Sequence, residues 1–489
     1  MLAHSARGSL YHLVVSAATT LLGFLRAVLL MRLLGPEQFG VVTLALFFST
    51  FIVPFSVLGV DSALLQNPNP TPQTFSTHFT LRLLLAVGVL GLGLLASPVL
   101  RQLYAEQPLV VDVFLVLLIV NLLEASYATP GVILRREMRF GALALLNLFS
   151  SLAMTITAPL LAYLGFGLWS LVAEQAVGPL IRWIGIWLVL YPWRPQAGFD
   201  RTEAKASIKF GSHVLSSNLL GIMLDRFDDF WTGTVLGATA LGYYSRAWEL
   251  AQYPDRVLAT PIINVFFSTY AAVQADKKQL SQAFFRSSSF LVRVGFLLAV
   301  VLLIIAPELT LILFGEAWLP IVPIFRLMLV YVLLDPLYNN LSYLIIGVGQ
   351  PRLLTRVRLL QVALFVLAVI IFARLWGTNG VAMAANLMML IGVVALLAYS
   401  HNFVKVSLRR MFQWPFLAVA LSLGVGFALV HFSQWSGLWT GMILKALAAA
   451  GVYVLTLFLA ERQVIDEYGF QVIARYIAQF RHSTQSEKT

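Results

Sequence analysis

The chain has 489 residues, of which 59% are hydrophobic and only 11% are charged. A soluble protein would carry roughly 25% charged residues, so the composition excludes an ordinary soluble domain and also a disordered or fibrous chain. The mean hydropathy of +0.84 indicates a protein surrounded mainly by lipid. In such a chain the net charge of +11 is typical of loops that face anionic lipid rather than of nucleic-acid binding.

Apolar runs that could span a bilayer recur along the whole chain. A span needs about 20 apolar residues, and lipid tolerates only helices or closed barrels. The alternating ten-residue pattern of barrel strands is absent. We therefore predict an all-α polytopic membrane protein with about 14 transmembrane helices. In chain order these cover residues 10–30, 41–60, 79–98, 109–128, 143–164, 168–191, 210–235, 241–272, 290–305, 321–348, 359–375, 381–400, 414–432 and 438–460.

The tenth span has an unusual polar interruption. Asp335-Pro336 and Asn339-Asn340 lie inside this apolar run. Non-helical backbone at membrane depth is tolerated where it is buried in protein or lines a cavity. These pairs therefore predict a broken tenth helix.

The basic residues between the runs predict the topology. With a cytoplasmic N-terminus, the inside segments hold 21 Lys and Arg residues, and the outside loops, counted with the adjoining span end at Arg374, hold three, Arg32, Arg101 and Arg374. Cytoplasmic loops carry an excess of Lys and Arg, so both termini are predicted to be cytoplasmic. The amphipathic, polar tail 462–489 is expected at or near the membrane surface.

A sequence repeat relates the two halves of the chain. Residues 34–40 and 236–242 both read Leu-Gly-x-x-x-apolar-Gly, at an offset of 202. A unit of six helices keeps the same orientation in both halves, a pattern typical of transporters. We predict an N-lobe over residues 1–200, a C-lobe over 201–402, two further helices over 403–461 and the cytoplasmic tail 462–489.

Two segments resemble a known family. Residues 23–40, with Gly-Phe-Leu-Arg at the start and Leu-Gly-Pro-Glu-Gln-Phe-Gly at the end, resemble the first helix and loop of polysaccharide flippases. These are the Wzx-type members of the multidrug/oligosaccharidyl-lipid/polysaccharide (MOP) exporter superfamily. Residues 225–247, which include Asp225-Arg226-Phe227-Asp228 and Leu241-Gly242-Tyr243-Tyr244, resemble the seventh and eighth helices of its lipopolysaccharide and colanic-acid exporter branch.

This resemblance implies a V-shaped pair of six-helix lobes and a transport function. Such proteins move undecaprenyl-diphosphate-linked oligosaccharide to the outer leaflet of the bacterial cytoplasmic (inner) membrane for lipopolysaccharide or exopolysaccharide biosynthesis. The implied partners are this lipid-linked oligosaccharide, membrane lipids, a polysaccharide polymerase and a chain-length regulator. We expect no enzymatic activity and no nucleic-acid partner.

Basic residues inside the spans are candidates for binding the substrate, because an ionisable group at membrane depth usually faces a partner or a water-filled cavity. Arg26 lies roughly 10 Å inside the first span, and its guanidinium suits a diphosphate. In the eighth span, Arg246, Glu249, Tyr253 and Arg256 form one stripe about 80° wide. We predict a partly cationic cavity bounded by Arg26, Arg246, Arg256 and Tyr253. The alternatives are snorkelling of Arg26 and interhelical ion pairing of the stripe, for instance with Asp228.

Three carboxylates in the seventh span suggest ion coupling. Asp225, Asp228 and Asp229 are spaced i, i+3, i+4 and share one helix face, and three carboxylates on one face cannot all stay ionised cheaply. Together with Glu249 they are the predicted coupling site for a proton or a sodium ion. The alternative is a network neutralised by Arg226. No other cofactor and no metal site is expected.

Two other functions fit parts of the sequence. A cation-coupled multidrug exporter of the same superfamily would share the fold, although the basic residues in the spans weigh mildly against a cationic substrate. An intramembrane enzyme acting on prenyl diphosphates could hold Mg²⁺ at Asp225-x-x-Asp228-Asp229, but a second aspartate cluster is missing. Phosphate-loop, G-x-S-x-G and H-E-x-x-H motifs are also missing.

Overall fold

The computed structural model describes residues 2–190, 193–195, 198–255, 266, 269–405, 407–432 and 437–485. Over this part of the chain the regular structure is entirely helical, which confirms the all-α class. The helices are α1 (Leu2–Leu33), α2 (Pro36–Val57), α3 (Val60–Gln66), α4 (Pro72–Leu103), α5 (Leu109–Arg136), α6 (Phe140–Tyr163), α7 (Trp169–Ile184), α8 (Arg201–Trp231), α9 (Ala238–Pro254), α10 (Lys277–Leu313), α11 (Ile321–Gly347), α12 (Pro351–Ser400), α13 (Leu408–Phe432) and α14 (Leu438–Gln485). Short π-helical turns extend α7 over Gly185–Leu190 and α8 over Thr232–Leu236.

Eleven helices in the described part are long and apolar enough to cross a membrane. These helices show that the chain is a multi-pass membrane protein. Helix α12 contains two of the predicted spans, separated by a kink at Gly377, whose φ of 58° is accessible to glycine without steric cost. Helices α8 and α9 are not among the eleven. The number of fourteen spans and the orientation of the termini stay predictions.

The chain divides into two compact units, and the first contains residues 1–246, 313–320 and 365–381. Its central helix is α2, which packs against α4, α5 and α8, while α1 packs against α6 and α6 against α7. Helix α2 begins with Pro36, whose fixed φ suits the first helical position. It ends where Leu58 and Gly59 both adopt positive φ. Its apolar residues are spread around the helix, as expected for a helix buried among neighbours in a membrane protein.

The two copies of the sequence repeat meet within this unit. A Cβ atom at Gly40 would lie 1.7 Å from the carbonyl oxygen of Ala238, and one at Gly242 would lie 1.8 Å from that of Pro36. Pro36 and Ala238 occupy equivalent repeat positions, as do Gly40 and Gly242. Reciprocal contacts of this kind are the pattern of a two-fold relation. Glycine is required at both positions because the two helices cross backbone to backbone.

The second unit contains residues 247–312, 321–364 and 382–489. Helix α11 runs without interruption from Ile321 to Gly347 and includes Pro336, so the predicted break in the tenth helix is wrong. The Asn340 side chain is fully buried and donates to the hydroxyls of Ser287 and Ser288, both at 2.9 Å. Its polarity is thus satisfied by α10 without any opening of the backbone.

Helices α13 and α14 pack together in the second unit. Helix α14 is kinked at Glu461, where φ is −125°, and continues through residues assigned by sequence to the tail. The division into lobes at residues 200 and 402 stays a prediction. The lobes are defined by the sequence repeat, whereas the two compact units are defined by which residues pack together.

Candidate functional site

Arg26 is held by an ion pair within the first unit. Its Nε donates to Glu174 Oε1 at 2.8 Å, and its Nη1 donates to the Thr155 hydroxyl at 3.3 Å. The side chains of Arg26 and Glu174 are only 13% and 18% exposed. Arg26 on α1 is thus neutralised by α7 and steadied by α6. These contacts link α1, α6 and α7.

A second buried charge cluster joins α3, α4 and α5. Asp61 Oδ1 lies 3.2 Å from His78 Nε2 and 3.0 Å from Arg82 Nε. The other ring nitrogen of His78 is 2.9 Å from the Thr129 hydroxyl, and Arg82 also donates to the carbonyl oxygen of Ser56. Burial would raise the pKa of Asp61, but the hydrogen bond to His78 and the positive charge of Arg82 outweigh it and hold that pKa below its ordinary value.

Two further ion pairs lie within the second unit. Arg293 on α10 donates to both carboxylate oxygens of Glu461, at 2.7 and 2.6 Å, and Lys445 on α14 donates to Glu308 on α10 at 2.5 Å. The bidentate geometry at Glu461 is the one that a guanidinium forms best with a carboxylate. Both pairs hold α14 against α10. Each also neutralises charges that would be costly at membrane depth if they were unpaired.

The predicted coupling residues separate into different environments. Asp228 is 4% exposed and accepts a 2.5 Å hydrogen bond from the Tyr244 hydroxyl. Asp229 is 5% exposed and accepts a 2.9 Å bond from Arg226, three residues earlier on α8. Asp225 is exposed. The structure therefore brings two of the three carboxylates together as a buried pair, with a phenol on one and a guanidinium on the other.

The predicted stripe on α9 is described only in part. Arg246 is half-buried and places its guanidinium carbon 5.0 Å from the centre of the Phe39 ring. It also lies close enough to Asp229 to attract that carboxylate electrostatically. Glu249 and Tyr253 are half-buried further along the helix. Arg256, the fourth member, lies outside the described residues.

The acidic cluster does not have the form of a metal centre. Asp228 and Asp229 are committed to Tyr244 and Arg226. In the described ranges, no three histidine, aspartate or glutamate side chains converge in a way that could hold a metal ion. The Mg²⁺ site required by the prenyl-diphosphate enzyme hypothesis therefore has no geometric support in these ranges.

The partners of the buried bases are what sequence reasoning missed. Arg26 and Arg82 were recognisable as ionisable groups inside apolar runs, but Glu174 and Asp61 lie 148 and 21 residues away from them along the chain. The charge itself was the available signal, because a base at membrane depth requires an acid or a polar cavity. Identifying the acid requires knowing which helices are neighbours.

The chain belongs to a family of polysaccharide biosynthesis proteins, whose model matches residues 29–323. It is 28% identical to the succinoglycan biosynthesis transport protein ExoT of Rhizobium meliloti, over 91% of this chain and 90% of that protein. It is also 21% identical to the lipopolysaccharide biosynthesis protein WzxC of Escherichia coli, over 83% of this chain and 84% of that protein. The resemblance inferred from residues 23–40 and 225–247 is thereby confirmed.

Solved structures give the fold. The lipid II flippase MurJ, in an inward closed conformation, matches with a TM-score of 0.73 over 92% of this chain and 99% of that one, at 14% identity. An inward-facing multidrug resistance MATE family transporter of the MOP superfamily matches with a TM-score of 0.60 over 84% of this chain and 98% of that one, at 15% identity. At these identities the likeness establishes a MOP-type fold, and activity has to be argued separately.

Proposed function

We propose that this protein is a flippase that moves polyprenyl-diphosphate-linked oligosaccharide across the bacterial inner membrane for polysaccharide biosynthesis. The observation that carries the proposal is that the ExoT relative, named for succinoglycan transport, aligns over nine-tenths of both chains. The MOP-type fold along nearly the whole chain supports it. The head group would cross the membrane by alternating access, the general mechanism of transporters built from repeats.

The diphosphate requires positive charge along its path, because an uncompensated charge in the low-dielectric interior of the membrane is very costly. Arg26 supplies little net charge, since Glu174 neutralises it. We therefore assign the larger part to Arg246 and Tyr253 on α9 and to Arg256, which follows this helix in the sequence. The Arg246 guanidinium carbon lies 5.0 Å from the centre of the Phe39 ring, and this cation–π contact steadies the side chain. A guanidinium binds phosphate oxygens through its planar fork of N–H donors.

The buried carboxylates of α8 are our candidates for ion coupling. Asp228 and Asp229 are adjacent and buried, so the negative charge of one disfavours ionisation of the other. Binding of a proton or sodium ion would relieve this repulsion. Glu249 and Asp225 extend the acidic group along α9 and α8. The Tyr244 hydroxyl bonded to Asp228 connects the candidate site to α9, so a change of charge at Asp228 would act on the helix that carries Arg246.

Export of the linked glycan from intact cells tests this proposal. We expect Arg246→Ala to reduce export strongly and Arg246→Lys to reduce it in part, because lysine keeps the charge but loses the bidentate fork. Arg256→Ala should resemble Arg246→Ala, whereas Arg26→Ala should act mainly by lowering the amount of folded protein. Normal export in the Arg246 and Arg256 variants, at matched protein levels in the membrane, would contradict the cationic path.

A separate experiment tests the coupling site. Asp228→Asn removes the charge but keeps the shape and the hydrogen bond capacity, so the protein should fold while transport loses its dependence on a proton or sodium gradient. Asp225→Asn should have a smaller effect than Asp228→Asn, because the Asp225 carboxylate is exposed. If Asp228→Asn and Asp229→Asn transport with an unchanged gradient dependence, the carboxylate pair is structural.

The MATE-like fold favours one second candidate, a cation-coupled multidrug exporter. The two functions differ in the sign of the substrate. If the protein is a drug exporter, cells that lack it should become sensitive to cationic dyes while keeping their surface polysaccharide. A flippase predicts the opposite result.

A further inference from the structure

An open cavity of about 300 Å³ lies in the first unit, between the end of α3 and the beginnings of α4 and α8. Its polar lining comes from Gln66 and Asn67 on the α3 side, Thr74 on α4, and Glu203 and Ser207 on α8, and Phe210 contributes an aromatic ring. The volume is at the lower end of the range for small-molecule sites. It is large enough for one ring-sized polar group and not for a whole oligosaccharide.

The walls of this cavity are held in place by the protein itself. Arg136 donates to the carbonyl oxygens of Leu64, Leu65 and Asn67, at 2.8, 3.1 and 2.6 Å, which fixes the last turn of α3. The Thr74 hydroxyl donates to Glu203 Oε1 at 2.9 Å and ties α4 to α8.

An apolar cluster of Val60, Leu81 and Ala204 joins the same three helices. The cavity is therefore preformed, which lowers the entropic cost of binding a ligand.

The chemistry of the lining selects the ligand. Amide side chains both donate and accept hydrogen bonds, hydroxyls do the same, and the carboxylate of Glu203 accepts them. Its Oε2 atom has no hydrogen-bond donor among the described residues. Among the described residues no lysine or arginine lines the cavity, so a diphosphate there would meet the Glu203 carboxylate with no base in the lining. A neutral, polyhydroxylated ring fits these donors and acceptors, and its C–H face fits the ring of Phe210.

We infer that this cavity binds a sugar ring of the lipid-linked oligosaccharide, separately from the path of its diphosphate. The inference rests on the proposed function. It also rests on the predicted topology, in which the second span ends and the third and seventh begin on the cytoplasmic side, so that the cavity faces the compartment where a flippase receives its substrate. The cavity would thus select for the glycan before the head group crosses the membrane.

The test compares two lipids on the purified full-length protein in nanodiscs. One probe is undecaprenyl diphosphate without sugar, and the other is the undecaprenyl-diphosphate-linked glycan extracted from the source bacterium. Gln66→Ala and Phe210→Ala remove exposed lining groups without disturbing the Arg136 and Thr74 contacts. Gln73→Ala and Phe199→Ala are matched controls, since both side chains are exposed on the same helices or just before them and neither lines the cavity.

We expect each lining variant to weaken binding of the glycan-bearing lipid about fivefold, the size of one or two lost hydrogen bonds or contacts, and to leave binding of the sugar-free lipid unchanged. The controls should change neither. Unchanged binding of both lipids in the lining variants, or an equal loss for both, would overturn the sugar site while leaving the flippase proposal intact. If the wild-type protein binds neither lipid, the proposed function fails, and the sugar site fails with it.

Discussion

Removing the charge of Arg26 should destabilise the protein through the carboxylate that it leaves behind. Arg26 and Glu174 are 2.8 Å apart and more than four-fifths buried. Breaking a buried ion pair by removing one partner costs about 3–5 kcal/mol, because the other charge remains uncompensated. Arg26→Met keeps most of the side-chain volume, so most of its effect should come from Glu174.

Neutralising Glu174 as well should restore the stability that Arg26→Met loses. The double variant Arg26→Met/Glu174→Gln removes both charges and should recover stability to within about 1 kcal/mol of wild type, since a buried ion pair and its neutral replacement are often nearly equal in free energy. The measurement is the loss of monodisperse protein on heating in detergent, followed by size-exclusion chromatography for wild type, both single variants and the double variant.

Two outcomes would refute the reasoning. A double variant as unstable as Arg26→Met would show that the cost is one of packing and not of charge. An Arg26→Met protein with wild-type stability but without export of glycan would show that Arg26 acts on the substrate and that Glu174 does not neutralise it.

Three further predictions concern packing, topology and the second unit. Gly40→Ala should destabilise the protein by about 1–3 kcal/mol, as overpacking does, because its Cβ would lie 1.7 Å from a backbone oxygen; Gly88→Ala, with open space around it, is the control and should be neutral in the same thermal assay. Cysteines placed at Lys277 and Gly165 of this cysteine-free chain should be labelled from the cytoplasm and from outside respectively, and the reverse pattern would contradict the topology. Lys445→Met should lower the thermal stability and should be rescued when Glu308 is also neutralised, whereas a variant as stable as wild type would show that the pair contributes nothing.

The general architecture could be predicted from the sequence because a membrane helix is recognisable from its own residues. A run of apolar residues needs no partner to be recognised, and the predicted spans other than the seventh and eighth fall on the eleven helices of the described part that are long and apolar enough to cross a membrane. The repeat could also be read, because the close crossing at Gly40 and Gly242 requires glycine at both positions. Steric requirements of this kind leave a direct trace in the sequence.

The arrangement of polar groups was less accessible because it depends on which helices are neighbours. Asp225, Asp228 and Asp229 share a helix face by spacing, yet only the last two are buried, since burial is set by the surrounding helices. Asn340 suggested a broken helix, but the hydroxyls of Ser287 and Ser288 satisfy its amide. A polar residue in an apolar run predicts that a partner exists and does not identify the partner.

The central claim is that this protein moves a lipid-linked glycan between leaflets, and reconstitution tests it most directly. Purified protein would be placed in liposomes that carry the undecaprenyl-diphosphate-linked glycan of the source bacterium, and the fraction of glycan open to an added glycosidase would be followed over time. We predict that the accessible fraction rises from about one half towards completeness with wild-type protein and rises much more slowly with Arg246→Ala. An accessible fraction that stays at its value in protein-free liposomes, while the same vesicles transport a cationic dye, would contradict the flippase and establish the drug exporter.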